Sequence, residues 1–475
     1  MTSLTLIWIA LPFFIGFSIY LLPQLDRYLA LGVAIASIVY GLIQISSGGT
    51  LELSLLDNFG VSLLVDQLSD FFILTNAVVT IAVVLYCWDR ERNHFFYTQA
   101  ILLHGSVNSV FICADLMSLY VALEVIGIAA FLMISYPRTS RSIWVGLRYL
   151  FISNTAMLFY LLGAVLVYQA NQSFAYEGLQ NAPPEAIALV MLGLLTKGGI
   201  FVSGLWLPLT HAESETPVSA MLSGSVVKTG VFPLLRFAMM VPELDPLVRF
   251  FGVATALLGV SYAVFEKDTK RMLAFHTVSQ LGFVLAAPEV GGFYALTHGL
   301  VKAALFLLAG SLPSRNLKEL KHTPISISVW VPLAIASLSI SGFPLLAGFG
   351  AKVLTVKNLL PWQVIGMNVA AVGTSISFAK FIFLPRGGGK KMKAGFWWAM
   401  AFLIGGLVLA NGIYLDAYAL KNIPKALLTI ALGWGIYLFV VRQLSIKLPR
   451  LLEQFDHLIG MMTLLLTMLF WMVVA

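Results

Sequence analysis

The stretch LVMLGLLTKGGIFVSGLWLPL (189–209) is apolar enough to cross a bilayer, yet Lys197 sits near its centre, followed by Gly198, Gly199, Gly204 and Pro208. An ammonium that deep cannot easily reach the headgroups, so it needs a partner, a water-filled cavity or the loss of its proton. The glycines weaken the helix beyond it and the proline ends it, so the segment reads as a transmembrane helix broken beside an ionisable group. A second segment, SGFPLLAGFGAK (341–352), repeats the pattern, with Gly342, Pro344, Gly348 and Gly350 ahead of Lys352. Lys228 in AMLSGSVVKTGVFPLL, Lys302 in FYALTHGLVKAALFLLAG and Glu124 in LMSLYVALEVIGIAAFLMISY complete a set of five deep charges. Residues of this kind are read first as an ion or proton path.

The rest of the chain is membrane. With 59% hydrophobic and 11% charged residues and a mean hydropathy of +0.91, 475 residues do not describe a soluble core. Cys87 and Cys113 are too few for an iron–sulfur cluster and lack ligand spacing with histidine, so they read as small apolar residues. No phosphate loop is present; GGGKK (387–391) has no strand before it. No cofactor, metal or redox site is expected in the chain, which leaves its status as an enzyme open.

About sixteen stretches are long enough to span a bilayer. They fall near 4–22, 28–46, 69–87, 97–114, 116–136, 143–169, 187–208, 217–241, 249–265, 270–287, 292–312, 327–352, 362–384, 396–414, 424–441 and 457–474. The segment at 45–66 is polar and turn-rich and reads as an external loop. The first span has no positive residue before it and no cleavage site, and is expected to be retained. Most of the 29 Lys and Arg fall in loops that follow odd-numbered spans. Those loops hold Arg27; Arg90 and Arg92; Arg138 and Arg141; Lys267, Lys270 and Arg271; Arg315, Lys318 and Lys321; Arg386, Lys390, Lys391 and Lys393; and Arg442, Lys447 and Arg450. Arg249, Lys357, Lys421 and Lys425 fall on the other side. Cytoplasmic loops carry the Lys/Arg excess, so both termini are expected on the outer side. The net charge of +7 then records topology and gives no support to a nucleic-acid partner.

The fold class expected is all-α, a polytopic integral membrane protein of about 14–16 transmembrane helices. Interrupted helices at corresponding positions in two halves point to two inverted five-helix repeats with a site near the midplane. The division expected is 1–96 (three helices and the external loop), 97–241 (first repeat), 249–384 (second, inverted repeat) and 385–475 (C-terminal helices). The plainer reading is that Gly and Pro are common in membrane helices.

The strings VDQLSDFF (65–72), LEVIGIAAF (123–131), TPVSAMLSGSVVKTGVFPLLR (216–236), EKDTKRMLAFHTVSQLGF (266–283), LTHGLVKAALFLLAG (296–310) and SGFPLLAGFGAK (341–352), in this order, resemble a known family. It comprises the antiporter-like subunits of Mrp-type multisubunit Na⁺/H⁺ antiporters, of respiratory complex I and its photosynthetic relatives, and of membrane-bound hydrogenases. The resemblance implies roles. Glu124 and Lys197 match an alternating ion pair of the fifth and seventh helices; Lys228 matches the eighth-helix lysine that hands the proton along the axis. His298 and Lys302 match the eleventh-helix pair, and Lys352 the terminal lysine of the broken twelfth helix. Lysine at the last position, where subunit 4-like members of complex I carry glutamate, points toward the Mrp D type or the subunit 2-like type. Departures are Val202 and Ser203 where a proline follows the seventh-helix lysine, the acidic Glu213 and Glu215 before TPVSA, and Leu345 where a second proline is common.

Chemistry alone gives a similar reading. Coulomb attraction of a carboxylate and an ammonium at about 4 Å is about 4 kcal/mol at an effective dielectric of about 20, enough to decide whether the amine keeps its proton. A movable Glu124–Lys197 pair is therefore a gate; a static pair that only fixes packing is the alternative. His298 and Lys302 are four apart on one helical face and their repulsion favours one shared charge. Alone, His298 would more often make a helix–helix hydrogen bond. His276, with Ser279 and Gln280, is open between the two. His104, Arg148, Arg236 and Lys380 lie nearer span ends, where snorkelling is the default. The linker QLSIKLPRLLEQFDH (443–457) is amphipathic enough to lie along the inner surface.

The expected function is proton translocation in a Mrp-type, D-like monovalent cation/proton antiporter. The partners expected are other membrane subunits, the lipid bilayer, protons and a monovalent cation, Na⁺ first. The rival is the proton-pumping arm of a complex I-like or hydrogenase-like enzyme; a stand-alone carrier of organic anions is a third class. The membrane expected is a bacterial cytoplasmic or a thylakoid-like one.

Overall fold

The computed structural model describes residues 2–56, 60–388, 391–444, 446 and 448–474. Lys390 and Lys447, counted among the inner-loop cations, and Gly389 of the basic loop lie outside the described residues. In chain order the helices are α1 (Thr2–Leu21), α2 (Asp26–Ser47), α3 (Gln67–Cys87), α4 (His94–Val110), α5 (Leu116–Ile134), α6 (Ser140–Asn171) and α7 (Pro184–Lys197). Then come α8 (Leu207–Glu213), α9 (Thr216–Met221), α10 (Lys228–Met240), α11 (Leu244–Phe265), α12 (Thr269–Leu285), α13 (Gly291–Ala309) and α14 (Leu317–Leu320). The last are α15 (Ile327–Ser341), α16 (Ala347–Lys357), α17 (Gln363–Ile382), α18 (Ala394–Ala410), α19 (Asn422–Ile436) and α20 (Phe455–Val474). Among the described residues, 13 helical segments are long and apolar enough to cross a bilayer. The other expected spans are also helical: α4 and α12, of 17 residues each, and the pair α15 and α16.

Burial is arranged as membrane chemistry requires. The span through α9 and α10 and the one through α13 are wholly buried inside the protein, whereas those at Asn422–Val441 and Phe455–Val473 are only 17% and 22% buried. The spans that carry Lys228 and Lys302 are thus shielded from lipid, and the apolar outer helices take the contact with acyl chains. α13 packs against α3, α9, α12, α15, α16 and α18, which makes it the central pillar.

The segment expected as an external loop is more ordered than its composition suggests. α2 runs on to Ser47, and β1 (Leu51–Leu56) pairs antiparallel with β2 (Gly60–Val65) in a hairpin. The hairpin also bonds to the α4–α5 hinge through Leu64 N–H to Ile112 O (2.7 Å) and Ala114 N–H to Ser62 O (2.8 Å). Asp115 fastens the junction: its carboxylate caps α5 at Ser118 N–H (2.7 Å) and accepts from Ser62 N–H (2.9 Å). Gly60 is required there, because its φ is +115° and a Cβ would lie 2.9 Å from the Asp115 carboxylate.

The C-terminal linker, expected to be amphipathic enough to lie along the inner surface, is mostly non-helical among the described residues. Between Arg442 and Phe455 its only helical turn among the described residues is Leu451–Glu453, and it crosses from α19, which packs on α17, to α20, which packs on α7. The reason is electrostatic. Glu453 is buried and accepts two hydrogen bonds from the Arg271 guanidinium at 2.5 and 2.7 Å, while its carbonyl accepts from Arg148. Arg271 also reaches Glu266 (3.1 Å). Arg148, Arg236 and Lys380 are accordingly buried and partnered, where snorkelling was the expectation; Lys380 donates to the carbonyls of Ala263 and Glu266 (3.0 Å each). Arg236 makes a two-pronged pair with Asp66 at 2.8 and 3.0 Å, tying α10 to the N-terminus of α3.

Asp66 gives a test. Burial raises its carboxyl, but the Arg236 guanidinium and the Ser69 hydrogen bonds outweigh that and hold it below its ordinary 3.8. A carboxyl lowered on folding contributes stability above its unfolded value and loses it as pH falls through the lower folded one. Asp66→Asn keeps the oxygen that caps α3 at Ser69 N–H but leaves Arg236 buried and unpaired. It should cost about 3–5 kcal/mol, seen as a lower melting midpoint of the detergent-solubilised protein at neutral pH. The gap to wild type should close once the pH lies below the folded value of Asp66.

Candidate functional site

Lys197 is the last residue of α7, where the unsatisfied carbonyls of a helix end favour a cation. The helix stops because Gly198 and Gly199 follow; Gly199 has φ +68° and Phe201 φ +53°, and a short 3₁₀ stretch (Phe201–Trp206) leads into α8. The Lys197 ammonium donates to Leu123 O (2.9 Å) and Ser153 Oγ (2.6 Å). Glu124 forms no ion pair with it within 4.0 Å, and Glu124 Oε1 is buried without a hydrogen-bond partner. The expected pair is therefore open in this structure: the lysine rests on the carbonyl one residue before the glutamate. Gly127 leaves room for it, since a Cβ there would stand 3.3 Å from Nζ.

Lys228 is fully buried and is solvated by its own helix. Residues Leu222–Val226 form a π-helical turn, a local widening that frees backbone carbonyls. The ammonium folds back onto two of them, Ser223 O (3.2 Å) and Gly224 O (2.6 Å). Among the described residues no carboxylate shares this site.

His298 and Lys302 are both buried on α13, but they do not bond to each other. The Lys302 ammonium donates to Leu273 O of α12 and lies 5.0 Å from the Phe306 ring. His211 of α8 stacks on the same ring at 4.7 Å. Both ring nitrogens of His298, His211 and His276 are buried without partners. His298 borders a cavity of about 10 Å³ with Gln280, Tyr294, Thr297 and Gly348, room for about one water. His104, by contrast, is hydrogen-bonded to Ser37, Thr80 and Asn108 and is part of the packing.

Lys352 differs from the other lysines. Its side chain is half-buried and lines a cleft of about 480 Å³ with Asp416, Lys421 and Lys425, although the ammonium nitrogen itself is buried. Its ammonium has no hydrogen-bond partner and lies 5.5 Å from the Phe283 ring. The break ahead of it has Gly342 at φ +86° and Leu345 at φ +79°. Leu345 N–H donates to the Tyr418 hydroxyl at 2.9 Å. Proline has neither that φ nor that N–H, which accounts physically for the absence of a second proline at this position.

Glycine contacts bring these stations together. A Cβ on Gly230 would lie 2.2 Å from Gly198 N, so α7 touches α10 backbone to backbone beside Lys197 and Lys228. A Cβ on Gly299 would lie 3.0 Å from Gly224 O and 3.4 Å from Lys228 Nζ, which sets the π turn against α13 next to His298. Lys197, Lys228, His298 and Lys302 are thus consecutive in space, with Glu124 at one end and Lys352 beyond the small cavity at the other. Ser153, His211 and the π turn had escaped the sequence reading. Serines at 223 and 225 around Gly224 are a faint signal of the turn; nothing local marks Ser153 or His211.

Gly230→Ala should force α7 and α10 apart and lower the melting midpoint, at a cost of about 1–3 kcal/mol. Gly435→Ala in α19, with nothing within 4 Å of the added methyl, should leave the midpoint unchanged or raise it slightly. Equal midpoints for the two variants would contradict the close backbone contact.

Residues 113–377 match the family described as NADH:quinone oxidoreductase/Mrp antiporter, TM. The chain is 25% identical over 395 residues to the D subunit of the Na⁺/H⁺ antiporter of Alkalihalophilus pseudofirmus, covering 74% of this chain and 80% of that one. It is 29% identical over 366 residues to the N subunit of the NADH-quinone oxidoreductase of Desulforudis audaxviator, covering 68% and 72%. In fold it is similar to a chain of the Mrp complex from Dietzia sp., with a TM-score of 0.74 at 18% identity, covering 97% of this chain and 100% of that one. The match takes in more than half of the sequence, and the chain belongs to the NADH:quinone oxidoreductase/Mrp antiporter transmembrane family.

Proposed function

We propose that this chain moves protons through the membrane as a subunit of a multisubunit monovalent cation/proton antiporter, with Na⁺ as the expected cation. The observation that carries the proposal is the run of buried amines and imidazoles joined by glycine contacts and shielded from lipid. Glu124 and Lys197 form the gate. Lys197 passes from the Leu123 carbonyl and Ser153 to the Glu124 carboxylate, and the change of partner sets whether it holds a proton. Lys228, the His298–Lys302 pair and Lys352 then relay the proton, and the cleft at Lys352 gives it access to water. Carbonyls and one-water cavities suit this chemistry because they hold an ammonium without fixing a permanent counter-charge.

The breaks after Lys197 and before Lys352 each have a left-handed glycine followed by a left-handed non-glycine residue. That likeness supports reading 97–241 and 249–384 as inverted repeats, and the distribution of basic loops supports placing both termini outside. The similarity to the D subunit of an antiporter favours the antiporter, and the relatives' names as lettered subunits favour further membrane subunits as partners. The second reading, a proton-pumping arm of a complex I-like enzyme, is favoured by the similarity to a subunit of an NADH-quinone oxidoreductase.

The test uses the native assembly in inverted membrane vesicles, with Glu124→Gln and Lys197→Ala and with subunit assembly checked by gel. Cation-driven proton flux should fall at least about tenfold in each variant, the scale of removing one proton-transfer group. Near-normal flux in both would remove the gate. Flux driven by a Na⁺ gradient without a redox substrate supports the antiporter; flux that needs a reduced donor selects the pumping arm.

A further inference from the structure

We infer that the cavity beneath the segment that follows α19 binds the phosphate headgroup of an anionic membrane lipid. The cavity, about 170 Å³, lies between the ends of α11, α17 and α19 and the start of α14. Five cations line it, Lys267, Lys318, Lys321, Lys380 and Arg442, against one carboxylate, Glu266.

That carboxylate is already committed. Glu266 accepts the backbone N–H groups of Lys267 (2.7 Å) and Asp268 (3.1 Å) and the Arg271 Nε (3.1 Å). Burial raises its carboxyl, yet these bonds outweigh burial and hold it below its ordinary value, so it stays charged and paired. Lys380 is spent on two carbonyls. Lys267, Lys318, Lys321 and Arg442 form no ion pair among the described residues. Burial, and then the positive charges of Arg442, Lys318 and Lys267, lower the pKa of Lys321, the signature of cations gathered without a counter-ion.

The cavity next to it makes the contrast. It is larger, about 380 Å³, but Lys267 and Arg450 there face Glu266 and Glu453, so its lining offers no excess charge. The lip of the basic cavity favours a lipid over free phosphate: Leu444 and Ile446, which line it, are 47% and 42% exposed, an apolar ledge along which acyl chains can lie. Basic cavities between transmembrane helices on the cytoplasmic side take anionic headgroups in this way.

The experiment compares the purified native assembly, wild type and Lys318→Gln/Lys321→Gln/Arg442→Gln, after exchange into nanodiscs of equal phosphatidylglycerol and phosphatidylcholine and release for native mass spectrometry. These three side chains are exposed, so folding should be spared; Arg138→Gln/Arg141→Gln/Lys391→Gln, also at exposed positions, removes equal charge elsewhere as the control. Wild type and control should retain phosphatidylglycerol, and the triple variant should retain roughly a hundredfold less. Equal retention by the triple variant and wild type, or equal retention of phosphatidylcholine, would overturn the assignment. So would displacement of the lipid by millimolar inorganic phosphate, which would identify the ligand as a soluble anion.

Discussion

An ammonium held away from water is stabilised by oxygen ligands, and for Lys197, Lys228 and Lys302 most of those ligands are backbone carbonyls. A regular helix has none to spare, because each carbonyl is bonded to the N–H four residues on. Carbonyls become available where the helix ends, widens or is met by a neighbouring side chain. Lys228 takes the π turn and Lys302 takes Leu273 O; Lys197, at the end of α7, takes Leu123 O. Much else follows from that need. Glycines must let the broken segments approach, the helices that bear the lysines must be interior, and the apolar helices are left for the periphery.

The partnered arginines make an instructive contrast. Arg236 with Asp66, Arg249 with Asp245 and Glu289, and Arg271 with Glu266 and Glu453 are ion pairs. Arginine does not give up its proton, and its planar fork fixes geometry, so these pairs serve as fasteners. A lysine on a carbonyl is different. If it loses its proton it leaves behind only a dipole, so the buried site tolerates both states. The molecule thus divides its cations by chemistry, with guanidinium groups in ion pairs that hold elements together and interior amines set on backbone carbonyls.

Much of this was legible in the residues. The spans followed from length and hydropathy, and the breaks at Gly198–Gly199 and Gly342–Pro344 from the conformational properties of glycine and proline. The five deep charges stood out because apolar text surrounds them. What escaped depends on residues distant in sequence. Ser153 becomes a ligand only when α6 lies beside α7, and His211 matters only when α8 places it on Phe306. The burial of Arg148 depends on Glu453, 305 residues away. The open Glu124–Lys197 pair was invisible for another reason: sequence specifies both partners, whereas their distance is a property of one conformation.

The crossing from α19 to α20 has a mechanical consequence. α19 is seated on α17 and α20 on α7, so the linker is a tether between the flank of one broken span and that of the other. Glu453 pins it partway, to Arg271 on α12. A tether pinned at an interior point behaves as a lever with a fulcrum. A displacement of α7 carried by α20 would load the contacts at Glu453, to Arg271 of α12 and Arg148 of α6, and α12 is the helix whose Leu273 carbonyl holds Lys302.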